Sequence, residues 1–260
     1  MTTKFRIIVG FVLLVFLLAI TSGISYMDSR NSSEKITEYK RLATFSTATS
    51  DLVAFLADSS FRLYRFLDNK DEKNVADAQE FIQKALLTLE KCKQFVVLQD
   101  RKDKLNMLEK DIHTLSGLQI AVKDNMGAAY KQYNEEVRPV NQKMAYKILE
   151  VSKLALDANN LAITYPLLVA VEKMGRVRGS LARFAENRSA EATEEAVGRM
   201  KELKTAIDAI GQLLITETGK IRYQEMREAY ASLSGMLDNM IAKYGEANKS
   251  LAEMESLVDK

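Results

Sequence analysis

The chain has no tryptophan, one cysteine, one histidine and two prolines in 260 residues. Each scarcity removes a class of answer. A single cysteine, Cys92, excludes an internal disulfide. A single histidine, His113, leaves His-based catalysis, a His-ligated metal and a bundle haem without a second imidazole. Eleven glycines and two prolines are few for a chain of many turns, which favours long uninterrupted elements. An excess of one charge sign is also missing: 37 Lys and Arg face 35 Asp and Glu, with no run of five like charges. That balance argues against nucleic acid as a partner. There is no Gly-rich phosphate loop, no Glu-x-x-His pair and no histidine beside a nucleophile. No enzymatic activity, cofactor or metal site is expected.

One long apolar run is present. Residues 7–27 carry no charge and follow Lys4 and Arg6. As a helix they span roughly 30 Å, the hydrocarbon thickness of a bilayer. The basic flank places residues 1–6 in the cytoplasm and exports the rest, so the pattern predicts a transmembrane helix. A cleaved signal peptide is the competing reading, with small residues at Thr21-Ser22-Gly23, but its apolar region would be shorter, about 7–15 residues.

Beyond the anchor, turn signals are sparse. Asp68-Asn69-Lys70-Asp71, Gln99-Asp100-Arg101, Arg138-Pro139, Glu186-Asn187-Arg188-Ser189 and Thr218-Gly219 divide the remainder into six helices: about 30–67, 72–98, 102–137, 140–186, 190–217 and 220–258. Apolar residues recur every three or four positions. The second helix offers Val75, Ala78, Ile82, Ala85, Leu89, Cys92 and Val96. The third offers Leu105, Leu108, Ile112, Leu115, Gln119, Val122, Met126, Ala129 and Tyr133. This spacing is the seam of helices packed nearly parallel or antiparallel. Cys92 therefore reads as a small core residue, and His113, one step off the seam, as a solvated side chain.

A duplication is visible. Arg65-Phe66-Leu67-Asp68-Asn69-Lys70 recurs as Arg183-Phe184-Ala185-Glu186-Asn187-Arg188, 118 residues on. Two copies of a long-short-short unit predict two stacked four-helix bundles, with the first and fourth helices as the long shared rods. Pro166, inside the apolar stretch 161–171, is expected to kink the fourth helix where the bundles meet.

Some seam positions are polar: Thr49 and Ser59 in the first helix, and Arg178 on the stripe Val171, Met174, Arg178, Leu181, Ala185. A guanidinium on a core stripe meets an internal acid such as Glu172 or waits for a small anion. Arg62 and Arg65 lie one turn apart, with Asp58 four residues before Arg62, and Arg183 has Glu186 nearby. These four arginines are the candidate ligand-binding residues, each with a plain surface ion pair as its alternative.

The anchor, the length, Arg62-x-x-Arg65 with its turn, and the matching Arg183 with Glu186-Asn187-Arg188-Ser189 resemble the helical bimodular sensor domain of bacterial methyl-accepting chemotaxis receptors. The resemblance implies that residues 28–260 are a periplasmic sensor domain held at the inner membrane, with a distal bundle over about 48–165 and a proximal one over about 28–47 plus 166–260. It implies a homodimer that binds a small anionic molecule, an organic acid or amino acid, and signals across the membrane. Arg62 falls where that family places one ligand arginine. A second, three residues earlier, corresponds here to Ser59, and the arginines near the fourth helix end are shifted. The alternatives are the sensory domain of a histidine kinase and a membrane-tethered structural or docking protein.

Overall fold

The computed structural model describes residues 32–258. The expected anchor at 7–27 and its flank lie outside them. Among the described residues there is no strand, and no helix is long and apolar enough to cross a membrane. The elements are α1 (Ser32–Asn69), α2 (Glu72–Phe95), α3 (Gln99–Gln132), a π-helical turn (Tyr133–Val137), α4 (Arg138–Asp157), a 3-10 turn (Leu161–Ile163), α5 (Thr164–Asn187), α6 (Ala190–Gly211) and α7 (Glu217–Val258). The described residues are all-α, as expected. Because α3 runs through the π turn into α4, these elements form six helical runs, cut differently from the expectation.

Pro139 does not end a helix. The Arg138 amide donates to the Tyr133 carbonyl, five residues back, so the bonding ladder shifts just before the proline. The missing N–H then falls where the α pattern is already interrupted. The break comes instead at residues 158–160. Asn159 takes a left-handed conformation, φ 51°, which Asn tolerates better than most residues. The Asn160 amide donates to the Ala155 carbonyl at 2.9 Å and that of Asn159 to Leu156 at 2.9 Å. This pair of bonds is the Schellman closure of a helix C-terminus. Pro166 is the third residue of α5, where an amide has no acceptor within the helix, so it begins a helix and kinks nothing.

Two turns also move. α2 stops at Phe95 and α3 opens at Gln99, so the turn precedes the Gln99-Asp100-Arg101 signal. Gly219 lies within the first turn of α7, and its amide donates to Thr216 Oγ1 at 3.1 Å. Thr216 is thus the cap that starts α7.

The chain forms two compact units, residues 32–124 with 247–258, and Asn125–Glu246. The expected divisions at 47/48 and 165/166 are not where the units part. Each helical hairpin, α1–α2 and α5–α6, lies inside one unit, while the run 99–157 and helix α7 contribute to both. The long runs shared by both units are therefore the third and the last, not the first and fourth.

In the first unit the predicted stripes of α2 and α3 are core, except that Leu108 is only half-buried, and a face of α1 joins them. Leu52, Leu56, Leu63 and Phe66 of α1, Val75, Ala78, Ile82 and Leu89 of α2, and Leu105, Ile112, Leu115 and Val122 of α3 are buried. Cys92 is buried as well, and that burial raises its thiol pKa. In the second unit Met144 and Ile148, Leu167, Met174, Val177, Leu181 and Phe184, Met200, Leu203 and Ile207, and Met226, Leu233 and Leu237 play the same part. Each large apolar side chain so removed from water contributes about 1.5–3 kcal/mol.

The repeated motif makes the same turn twice. Lys70 and Arg188 both have positive φ, 59° and 56°, and their amides donate to Phe66 at 2.8 Å and Phe184 at 3.1 Å. The next residue caps the following helix in each case: Asp71 accepts from the Lys73 amide and Ser189 from that of Ala192. Phe66 and Phe184 fill the core behind the turns, each 1% exposed. Downstream, Gln99 and Glu217 open α3 and α7 at the same 118-residue offset.

Candidate functional site

The structure does not gather the four candidate arginines. Arg62 and Arg65 belong to the first unit and Arg178 and Arg183 to the second. Arg62 meets Asp77 of α2, with Nη1 3.2 Å from Oδ2 and both side chains about one-third exposed (33% and 28%). Its partner is thus across the hairpin and not the same-helix Asp58. Arg65 is exposed and lies over the Phe61 ring, 5.8 Å from its centroid.

Arg178 is not on a core stripe. It is exposed, because the buried face of α5 runs through Leu167, Ala170, Met174, Val177, Leu181 and Phe184. The expected stripe shares Met174, Leu181 and Ala185 with the buried face but drifts one residue between the first two. Glu172 pairs with Arg176 on the same helix. The charge of Arg178 is felt by Tyr133 in the π turn. Burial raises the Tyr133 phenol, and the charges of Arg138 and Arg178 oppose that shift.

Arg183 reaches across to Glu195 of α6, Nη2 to Oε1 at 2.7 Å, and not to Glu186. Glu195 stands 118 residues after Asp77, so both copies answer an arginine of the first hairpin helix with an acid at the same place in the second. In the second unit the pairing extends into a row. Arg199 sits between Glu195 at 3.8 Å and Glu202 at 3.1 Å, and Lys173 closes it on Glu202 at 2.8 Å. The hydrogen bond from Lys173 holds the Glu202 carboxyl below its usual range. A second cluster joins α4 to α7, where Lys147 bridges Glu150 at 2.9 Å and Glu225 at 2.8 Å. Pairs this accessible contribute little to stability, and they leave guanidinium groups open to exchange for another anion.

The second unit holds a groove. It encloses about 350 Å³ between α5 and α6, lined by Tyr165, Pro166, Val169 and Lys173 on one side and Glu202, Thr205, Ala206 and Ala209 on the other. Small side chains on α6 open it. The Lys173–Glu202 pair occupies its polar end.

The seam residues Ser59 and Gln119 meet in the first unit. Both are fully buried, and Gln119 Nε2 donates to Ser59 Oγ at 2.8 Å. Gln79 and Ser116 complete this polar layer. Ser59, the position of a ligand arginine by resemblance, is therefore committed to an internal hydrogen bond. Among the described residues no buried side-chain nitrogen or oxygen lacks a partner, and no group of three or more His, Cys, Asp or Glu residues could hold a metal ion.

No protein-family model, curated protein or solved structure matches this chain. The functional reading rests on its own geometry.

Proposed function

We propose that this chain is the ligand-sensing domain of a membrane-anchored receptor of the chemoreceptor type. Its helical runs would complete two stacked four-helix bundles in the bacterial periplasm. It would act as a homodimer, bind a small anionic molecule, and pass the event across the inner membrane. The observation that carries this reading is the tandem design. Two copies of one hairpin each build a compact unit, and the run 99–157 and helix α7 contribute to both. A helix common to two units carries a displacement from one to the other through its own backbone.

Each unit would offer its own anion contacts, Arg62 and Arg65 in one, Arg178 and Arg183 in the other. None is locked in a buried pair, so an incoming carboxylate exchanges for a surface partner at small cost. A ligand with higher affinity for one of two helix packings shifts the population between them.

The test is thermal unfolding of the full chain in detergent against organic acids and amino acids. A ligand at one hundred times its Kd adds about 2.7 kcal/mol, which raises the melting temperature by roughly 5–10 °C for a protein of this size. Arg62→Ala or Arg178→Ala should abolish that rise without lowering the melting temperature of the free protein. A folded chain that responds to no member of either class refutes the sensing reading.

A membrane-tethered docking protein is the second reading. It draws on the exposed apolar residues Leu156, Leu161, Tyr165, Leu168 and Ile215 at the helix junctions of the second unit.

A further inference from the structure

The polar layer of the first unit has an apolar counterpart in the second. In the first, Gln119 Nε2 donates to Ser59 Oγ at 2.8 Å. Gln79 Nε2 donates to Gln119 Oε1 at 3.0 Å and to the Ser116 carbonyl at 3.3 Å. Ser116 Oγ donates back to Gln79 Oε1 at 2.6 Å. Helices α1, α2 and α3 each supply a member. The residues 118 positions on are Val177 for Ser59, Val197 for Gln79, Leu237 for Gln119 and Ser234 for Ser116. Val177 and Leu237 are buried, 0% and 2% exposed. The same hairpin-and-long-helix unit therefore tolerates an apolar layer at this level.

We infer that the Ser59–Gln79–Gln119–Ser116 layer fixes the register of α3 against the α1–α2 hairpin, whereas the second unit leaves this level apolar and ties α7 to its hairpin elsewhere, through the Tyr230 hydroxyl on the Met200 carbonyl and the Tyr244 hydroxyl on the Ala185 carbonyl. An apolar stripe repeats every turn, so a slide of one turn, about 5.4 Å, brings apolar groups onto apolar groups again. A hydrogen-bonded layer does not repeat. One turn of slide takes Gln119 away from Ser59 and brings Leu115 or Lys123 to its level. Ser59 then faces no amide, and Gln79 loses its buried acceptor. Ser59 and Gln119 are fully buried, so for them that loss is large compared with the modest net gain of making the bond, while the half-buried Gln79 and Ser116 can turn to solvent. Buried polar groups in helical assemblies are best attested in this role, a single register at some cost in stability. One-turn displacement of α3 along the α1–α2 hairpin is thus closed to the first unit. This conclusion does not depend on what the protein senses.

The test is thiol cross-linking in the full chain carrying Cys92→Ala, with a short bis-thiol reagent that spans what a Lys–Glu pair spans. Lys93 Nζ lies 2.7 Å from Glu109 Oε2 between α2 and α3, so Lys93→Cys with Glu109→Cys reports the native register. Lys93→Cys with His113→Cys or Leu105→Cys reports a slide of one turn either way. Each pair is examined with the natural layer and with the second unit's residues installed, S59V/Q79V/Q119L. With the natural layer only the 93–109 pair should close. With the apolar layer the chain should fold with an unchanged or higher melting temperature. A slid pair should then close as well, its yield rising about tenfold or more as the penalty for unpaired groups disappears. Three results would overturn the inference. The first is a slid pair closing with the natural layer. The second is only the 93–109 pair closing with the apolar layer. The third is an apolar-layer protein that unfolds or melts lower, since the layer would then serve stability and not register.

Discussion

Two glycines of α6 should respond to alanine with opposite sign. At Gly198, on an exposed face in mid-helix, an added Cβ meets nothing within 4 Å. At Gly211, the last residue of the helix, it would lie 2.3 Å from Cζ and 2.6 Å from Cε1 of Tyr223. Gly198→Ala removes the cost of a glycine in a helix interior and stabilises by about 0.5–1 kcal/mol. Gly211→Ala must first move the Tyr223 ring from 2.3 Å to ordinary contact beyond 3.4 Å. That ring is half-buried, and its burial raises the phenol pKa, so displacement exposes apolar surface. Overpacking of this kind costs about 1–3 kcal/mol, more than alanine returns. With about 2–4 °C per kcal/mol for a chain of this size, Gly198→Ala should melt a few degrees higher and Gly211→Ala several degrees lower. Thermal unfolding followed by far-UV circular dichroism reads both. In a Tyr223→Ala background the Gly211→Ala penalty should vanish, a coupling of about 1–3 kcal/mol in the double-mutant cycle. If Gly211→Ala raises the melting temperature, or its penalty persists without the Tyr223 ring, the close approach is not what this position requires glycine for.

Tyr244 is buried, donates to the Ala185 carbonyl at 3.2 Å and packs edge-on against Phe184, centroids 5.3 Å apart. Burial pushes its pKa from 10.0 up to about 12. A raised phenol pKa favours the neutral form in the fold, so its contribution is intact below pH 10 and is lost as pH rises from 10 to 12, by up to about 3 kcal/mol. Tyr244→Phe should lower stability by about 1 kcal/mol at neutral pH and flatten the alkaline loss, as urea titrations at pH 8 and pH 11 would reveal. An equally steep alkaline loss in the variant assigns it to other groups. Asp71→Ala and Ser189→Ala each remove a cap from equivalent turns and should each cost about 1 kcal/mol in the same titration. A cap whose removal costs nothing would show that the two turns are not equivalent.

Periodicity made the core legible. The stripes of α2 and α3 hold over many turns, and a seam repeating every three or four residues leaves little choice of face. The repeated turn was legible because Arg-Phe ends a helix and Asp71 or Ser189 begins the next. Prolines misled, because the rule they follow concerns an intact α ladder. Pro139 sits where the ladder has already shifted, and Pro166 sits where a helix has yet to form one. The real break at Asn159-Asn160 depends on a left-handed residue, which Asn adopts without advertising it as Gly does. Arg178 was misplaced because two stripes through Met174 and Leu181 are possible, and only neighbouring helices choose between Val177 and Arg178. The polar layer was half visible. Ser59 and Gln119 stand on their stripes, but the bond between them joins residues 60 apart.

The π turn separates length from phase. Around it the buried residues fall at Ala129, Gln132, Val137, Asn141 and Met144, a step of five set among steps of three and four. The surplus residue is swallowed by the wide turn, and everything after it keeps facing inward. Removing any one residue elsewhere in the run would swing the remainder by about 100° around the axis. Removing one from 133–137, with Pro139 changed to a residue that can donate, would shorten the rod and turn nothing.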